Sequence, residues 1–381
     1  MNRRNFLRMA GGGVVLAAGA ATAFAATRTP SAALAPWAAA GAPRYDDPRL
    51  RALSHAILAP NPHNRQPWLV ALDGADRVVL RFDTERQLPA TDPFDRQLTI
   101  GLGCFLELMR MAAAAEGIAV ELDLFPEGWS DAGLDTRPIA IATFSAGGAA
   151  ADPLWPHVPV RRSNKEPFDT ARPVSDADLA TILGAGRTGA RLGGTVDPDE
   201  VAYWRALSEE ALLIEITTPH TFQESVDLFR IGKREINANP DGIDFGGALF
   251  EALYMAGIFT REATADTSST AYRQGIDAVL NNCRTAMGHV WMVTDTNTRP
   301  DQIAAGADWL RVNLAATSLG LGFQPLSQAL QEFAEMDLPY RAVHDRLAPE
   351  GGTVQMLARI GYGPDVAPSP RWALETRLEE A

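Results

Sequence analysis

Lysine is nearly missing from this chain of 381 residues. It occurs at Lys165 and Lys233, and arginine carries the rest of the positive charge. The balance is acidic, with a formal net charge of −13 and a pI near 5.0. After the first residues no basic run exceeds a pair of arginines, so nucleic acid is not an expected partner. The two cysteines, Cys104 and Cys283, form no CxxC and sit in apolar helical stretches. They are expected as buried free thiols rather than as a disulfide. The six histidines show no ligand spacing, so no protein-bound metal is expected. There is no G-x-S-x-G and no Walker loop, which sets aside the commonest serine hydrolase and nucleotide-triphosphate signatures.

What is there is an ordinary globular composition, 46% apolar and 21% charged, enough for a real core. The first 25 residues read as a targeting segment. Arg3-Arg4 is followed by Phe6-Leu7, a weakly apolar run and Ala23-Phe24-Ala25, similar to a twin-arginine export signal with its cleavage site. That run is too short and too rich in glycine and alanine to span a bilayer, which takes about 20 residues. An exported, periplasmic protein handled by the twin-arginine machinery is expected. Because that route carries folded proteins, a cofactor loaded before export is expected too.

Residues 26–44 are rich in proline and alanine and read as a linker or loosely docked arm. The next stretch has the spacing of an amphipathic helix, with Leu50, Leu53, Ile57 and Leu58 on one face, and Pro60 and Pro62 end it. "WLVALDGADRVVLRFD" predicts a hairpin about Asp73-Gly74. Leu98 to Ala115 is apolar nearly all round and predicts a helix buried on every side. Two more strands are expected in "AVELDLFP" and "IAIATFS", giving an α+β unit over residues 45–150. A second unit, residues 151–381, repeats one piece of the first. At a constant offset Ile100 falls on Ile303, Gly103 on Gly306, Ala112 and Ala113 on Ala315 and Ala316, and Gly117 on Gly320. Both are long apolar helices ending in glycine before a strand. An ancient duplication is expected, with the two helices packed on each other.

"GAGRTG" at 184–189 matches a dinucleotide fingerprint in letters only. A helix precedes it and a strand follows, the reverse of what that loop needs, so it reads as a helix-ending turn. "RRSNKEPF" puts Arg161, Arg162, Ser163 and Lys165 within five residues. Forked guanidinium donors beside a hydroxyl suit a phosphate, and a solvated basic turn is the plain alternative. "HNRQPW" at 63–68 crowds hydrogen-bonding groups and a large ring about a proline; it is either a cofactor loop or an ordinary helix-to-strand turn.

With "PNPHNRQPW" and "RRSNKEPF" both in view, the chain resembles the FMN-dependent nitroreductase superfamily. The order of the two motifs, reversed here, is similar to that of the tandem Acg-type FMN-binding oxidoreductases. In those, one chain holds two nitroreductase-like halves as an internal pseudo-dimer, with antiparallel or mixed sheets and central buried helices. The resemblance runs over roughly residues 45–375 and extends to "GLGFQPLSQAL" and "LARIGYG". It implies an FMN held between halves. The first half would give Pro60, Asn61, Asn64 and Gln66. The second would give Arg161, Arg162 and Ser163 to the phosphate and ribityl chain, and Lys165 to the ring edge where reduced flavin carries charge. Pro325, Ser327 and Gln328 would approach the ring. Arg371 would return to the phosphate, with Arg359 a weaker candidate. A second site has neither motif, so one FMN per chain is implied, in a protein that can be monomeric. The implied activity is ping-pong electron transfer from a small donor to a small acceptor such as a quinone or nitroaromatic. The alternative is a protein that binds or sequesters FMN without NAD(P)H-dependent reductase activity. Asn61 and Pro62 replace the family's usual serines, and residues 215–275 align with none of its pattern; they would form a lid or a plain structural excursion.

Overall fold

The computed structural model describes residues 27–379; the export-signal reading lies outside them. In the first half, helices α1 (Ser31–Ala39) and α2 (Pro48–Ala56) precede the hairpin β1 (Trp68–Asp73) and β2 (Arg77–Phe82). The buried helix α3 (Arg96–Ala115) follows, then β3 (Ile118–Leu124) and β4 (Pro138–Ala146). The second half begins with α4 (Asp176–Leu183) and β5 (Arg191–Thr195). A long excursion follows: α5 (Pro198–Thr217), α6 (Pro219–Asp227), β6 (Phe229–Ile231), α7 (Gly232–Ala238), β7 (Ile243–Phe245), α8 (Gly247–Met255), α9 (Arg261–Ala265) and α10 (Thr270–Arg284). The half resumes with β8 (Gly288–Thr294), α11 (Arg299–Ser318), β9 (Gly322–Pro325), α12 (Asp337–Leu347) and β10 (Thr353–Gly361).

Local chemistry explains most boundaries. Asp47 caps α2 through the Arg49 amide, and Pro48 takes the first helical position, where its missing N–H costs nothing. Thr298 and Asp301 make a reciprocal capping box at the start of α11. Gly74 takes φ 58° at the β1–β2 turn, and Trp68↔Phe82 through Asp73↔Arg77 set the register. Helix α3 is long and apolar enough to cross a membrane, but most of it is buried inside the protein.

Both four-stranded sheets are wholly antiparallel, ordered β1-β2-β4-β3 and β5-β8-β10-β9. The orders match strand for strand, and α3 and α11 each follow the second strand of their sheet. The core holds residues of both sheets and both helices, including Phe105, Met109, Trp309 and Leu310. At the helix crossing a Cβ on Gly103 would lie 2.2 Å from the Ile303 carbonyl oxygen, and one on Gly306 would lie 2.0 Å from that of Ile100. The repeat pairs Gly103 with Gly306 and Ile100 with Ile303, so these two contacts are the same contact seen from each half. Reciprocity of that kind is what a two-fold axis imposes. Arg96 and Arg299 stand at the same offset and are both buried at their helix starts. The duplication is therefore structural, and the pseudo-dimer is internal to one chain.

The excursion occupies the place that a tight turn, Gly74 to Asp76, fills in the first half. Its helix α5 covers the outer face of the second sheet, with Trp204 and Ala211 against Val293 and Leu357. The rest has its own small core of Val226, Phe229 and Ile231, backed by the Phe245 and Phe259 rings. Residues 31–39, expected as part of a linker, are a docked helix. Proline and alanine suggested slack chain there; the α1 backbone is instead held by long-range bonds, described below. The two thiols are buried and free, and burial pushes Cys104 up to about 12 and Cys283 up to about 11.

Candidate functional site

The two sequence motifs meet where the halves meet. The loop of residues 60–67 stands against the first turns of α3: a Cβ on Gly101 would lie 3.0 Å from Asn61 Cβ. One turn earlier, Gln97 Nε2 donates to the Ser327 carbonyl at 3.5 Å. Ser327 is reached from β9, and beside β9 runs the arginine segment, whose Asn164 amide donates to the Phe323 carbonyl at 2.8 Å. Three chain segments, two from the second half and one from the first, thus wall one corner.

The loop is built by its own polar side chains. His63, Asn64 and Gln66 all take left-handed backbone, with φ of 45°, 51° and 51°. Each such non-glycine residue costs about 1 kcal/mol or more, so the surroundings must hold it. Asn61 Oδ1 accepts from the Gln66 amide at 2.7 Å. Gln66 is fully buried; its Nε2 donates to the Pro240 carbonyl at 2.7 Å and its Oε1 accepts from the Trp372 amide at 2.9 Å. Every polar atom of that amide is used inside the protein. Gln66 therefore fixes the loop, and offers nothing to a ligand. Asn64 is bonded as well: Arg371 Nη1 donates to its Oδ1 at 2.6 Å, and its Nδ2 donates to the Pro370 carbonyl at 3.0 Å.

Three guanidiniums gather at one end. Arg161 and Arg371 are each 3% exposed, and both donate through Nη2 to the Leu58 carbonyl, at 3.1 and 3.2 Å. Arg162 donates to the Pro159 and Arg161 carbonyls. Among the described residues no carboxylate lies within salt-bridge distance of any of them, although Asp244 acts on Arg371 from further off. Arg161 Nη1, Arg162 Nε and Arg371 Nε are buried and have no hydrogen-bond partner. Burial, and for Arg371 the neighbouring Arg161, pull Arg371 down to about 9; burial pulls Arg161 down to about 10. A native protein rarely buries two cations with unpaired N–H groups, here with a third half-buried beside them, unless an anion completes them. The donor set suits a phosphate, since it offers several forked N–H groups at one point.

Lys165 and Asp244 are both accessible to water. Yet burial pushes the Asp244 carboxyl up, against the pull of Lys165 and Arg371. At His63, burial, then Lys165 and Arg65, hold the imidazole down at about 4, so it is neutral. Arg359 is wholly buried beneath. It donates to the Asn164 and Glu166 carbonyls and to Gln324 Oε1 at 2.6 Å, with its guanidinium 3.8 Å above the Phe168 ring. It holds the Lys165 segment on β9 and does not face the arginine cluster. Ser327 Oγ lies 3.4 Å from the Leu357 carbonyl oxygen. Near Gln331 and Gln328, burial raises the Glu215 carboxyl of α5 to about 7.

Sequence reading missed two contributors because their partners lie far along the chain. Asp241, on the excursion, is bonded by Arg86 at 2.8 Å and Arg230 at 2.9 Å, with Arg65 at 3.8 Å. Nearby, Glu224 accepts from the Thr91 hydroxyl at 2.6 Å. The excursion is thereby pinned to the Asn64 loop and to the first half. Replacing Asp241 with alanine leaves three guanidiniums without their shared acid. A loss of about 3–5 kcal/mol is expected, read as a lower urea midpoint; an unchanged midpoint would mean that the excursion does not brace the loop.

The equivalent corner of the other half is closed. Its loop, residues 184–190, is held by Asp308, which accepts from the Arg187 and Thr188 amides and the Thr188 hydroxyl. The dinucleotide reading of that loop thus stays set aside. Arg311 there pairs with Asp152 at 2.8 Å and Glu107 at 3.1 Å, and Arg187 also reaches Asp152. Charge is balanced within the protein, and no arginine there waits for an anion.

No family model matches the chain. Its sequence is 25% identical over 343 residues to "Putative NAD(P)H nitroreductase Rv3131" of Mycobacterium tuberculosis, covering 86% of this chain and 90% of that one. It is 26% identical over 328 residues to "Putative NAD(P)H nitroreductase acg" of the same organism, covering 84% and 90%. Solved structures overlap it in part. One is the FMN-dependent nitroreductase NfnB of Mycobacterium smegmatis in complex with NADPH, at 17% identity and TM-score 0.33 over 57% of this chain and 92% of that one. Another is the FMN and NADPH-dependent NfnB of a Sphingopyxis strain, at 16% identity and TM-score 0.37 over 58% and 96%. Over most of its length, the chain is similar in sequence to the mycobacterial proteins Rv3131 and acg.

Proposed function

We propose that the protein is an FMN-dependent oxidoreductase holding one flavin in the corner between its halves. The observation that carries this is the pair of buried guanidiniums at Arg161 and Arg371, with half-buried Arg162 beside them and no salt-bridge partner for any of the three among the described residues, set where the Asn64 loop of one half meets β9 of the other. Arg161, Arg162 and Arg371 would take the phosphate, and Ser163 the sugar-alcohol chain. Lys165 would stand at the charged ring edge. Pro60, Asn61 and Asn64 would form one wall, and Pro325, Ser327 and Gln328 the other. Bound there, the flavin would supply two-electron redox chemistry, taking electrons from a small donor and passing them to a small acceptor such as a quinone or nitroaromatic.

The chain's own part is positioning. Arg371 fixes Asn64, Gln66 fixes the loop that carries it, and Arg359 fixes Lys165. Neutral His63 adds no charge beside Lys165. One flavin per chain follows from the salt-bridged state of the opposite corner. The Arg3-Arg4 segment supports an exported protein, loaded before it leaves the cytoplasm. A second reading, flavin held without NAD(P)H turnover, is favoured by the pinning of residues 240 and 241 across the Asn64 loop.

The test is the visible spectrum of protein purified without residues 1–25, with flavin counted after denaturation and NADPH added without oxygen. About one FMN per chain, bleached by NADPH, is the result expected of the enzyme. One FMN that NADPH leaves yellow would favour the second reading. A colourless protein that takes up no added FMN would overturn both.

A further inference from the structure

The arginine trio has a fourth member that neither motif contains. Trp37, on α1, lies under two of the three guanidiniums: the Arg162 carbon is 4.6 Å and the Arg371 carbon 5.6 Å from its ring centre. Cations at that range are drawn to the face of an indole more strongly than to any other side-chain ring. The indole is itself held, its Nε1 donating to the Ser369 carbonyl at 2.8 Å. Helix α1 is fastened on both sides of the site. The Arg371 amide donates to the Ala33 carbonyl at 2.8 Å, and the Ala33 amide donates to Asn237 Oδ1 of α7 at 3.1 Å. Further back, Lys233 Nζ donates to the Thr27 carbonyl at 3.0 Å. The arm therefore ties the tail arginine to the excursion and lays a flat ring against the cations.

The stacking also sets what those guanidiniums can do. A guanidinium lying on an aromatic face is fixed in its plane and direction; the Arg371 Nη groups are spent on Asn64 and on the Pro370, Leu58 and Ala59 carbonyls, which leaves its Nε for an anion. Arg162 and Arg371 are also the two whose Nε atoms are buried and unpartnered. Without the ring Arg162 would be held through Nη1 alone and crowded by like charge, while Arg371 would keep its bonds to Asn64 and the carbonyls and lose the face behind it.

We propose that Trp37 is a positioning residue of the anion end of this site, acting through Arg162 and Arg371, and that the arm slows the escape of any phosphate-bearing ligand held there. The inference rests on the reading of the corner as a flavin phosphate site.

The test uses the full chain with Trp37→Ala and Trp37→Phe, and follows flavin release by the recovery of free-flavin fluorescence after dilution. Both FMN and riboflavin, which lacks the phosphate, are the probes. With Trp37→Ala, FMN is expected to leave about tenfold faster, the size of one such contact, while riboflavin release stays at the parent rate. Trp37→Phe keeps a ring face and is expected to restore most of the loss. Equal acceleration of both flavins would mean that Trp37 only supports the fold, and parent-like FMN release from the alanine variant would mean that the arm is bystander to the site; either overturns the inference. If the parent itself binds neither flavin, the reading of the corner fails first, and that outcome is seen before any variant is compared.

Discussion

Replacing Arg161 or Arg371 with alanine is expected to weaken FMN binding by roughly a hundredfold or more, enough for the flavin to be lost on purification. Each guanidinium would give at least one charge-assisted bond to the phosphate, worth about 1.5–3 kcal/mol, and loss of the fork also disturbs its neighbours. Arg161→Lys is expected to fall between, since it keeps the charge without the planar pair of donors. The stability of the ligand-free protein should move the other way. Arg161 is crowded by Arg162 and gives one hydrogen bond, to the Leu58 carbonyl, so removing it relieves repulsion and leaves the thermal midpoint level or higher; Arg371 is the exception, because it also holds Asn64 and the Ala59 and Pro370 carbonyls, and its loss should lower the midpoint. Titration of the flavin-free protein by fluorescence, together with its thermal unfolding, checks both arms. A variant that binds FMN like the parent but melts early would show that these arginines merely hold the Leu58 and Ala59 carbonyls.

A second large effect is expected at the helix crossing. Gly306→Ala adds one methyl group, but that carbon would meet the Ile100 carbonyl oxygen at 2.0 Å and the Gly103 Cα at 2.8 Å. Both are backbone atoms of a buried helix and cannot swing aside. The helices would have to part along a core packed to crystalline density. At least about 3 kcal/mol of stability should go, the upper end of what overpacking costs, and Gly306→Val should give no soluble protein. Urea midpoints and soluble yield are the measurements. An alanine variant as stable as the parent would mean that the crossing is looser than the reciprocal glycine contacts require.

Much of this was legible in the chain because the signals are local or periodic. The hairpin about Gly74, the apolar stretch that became α3, and the glycine repeat at 103 and 306 need only short-range pattern to be read. The same holds for the arginine cluster, since four site-type residues lie within five positions. The roles inside the loop were not legible. Asn64 and Gln66 looked alike as ligand donors, yet Gln66 spends its amide on Pro240 and Trp372, and Asn64 on Pro370 and Arg371. Their partners lie about 170 to 310 positions away, beyond any spacing rule. The arm was misread for a related reason. Proline and alanine carry little amphipathic signal, and what docks α1 is the Ala33 backbone bonded to Arg371 and Asn237, with the Trp37 ring on two distant cations. The excursion aligned with nothing because it grew inside a turn, and turns tolerate insertion.

That position has a bearing on how the chain acquires its shape. In the first half, β1 and β2 are neighbours in sequence and can pair on the timescale of a hairpin. In the second, β5 and β8 are the corresponding pair, with eight helices and strands' worth of chain looped out between them. Closing so long a loop adds only modestly to the entropic cost but makes the contact strongly non-local, and non-local pairing is slow. The first sheet should therefore stand ready while the second is still unzipped. The Asn64 loop would then wait for Asp241 and the tail, so the corner between the halves would be among the last parts to assemble.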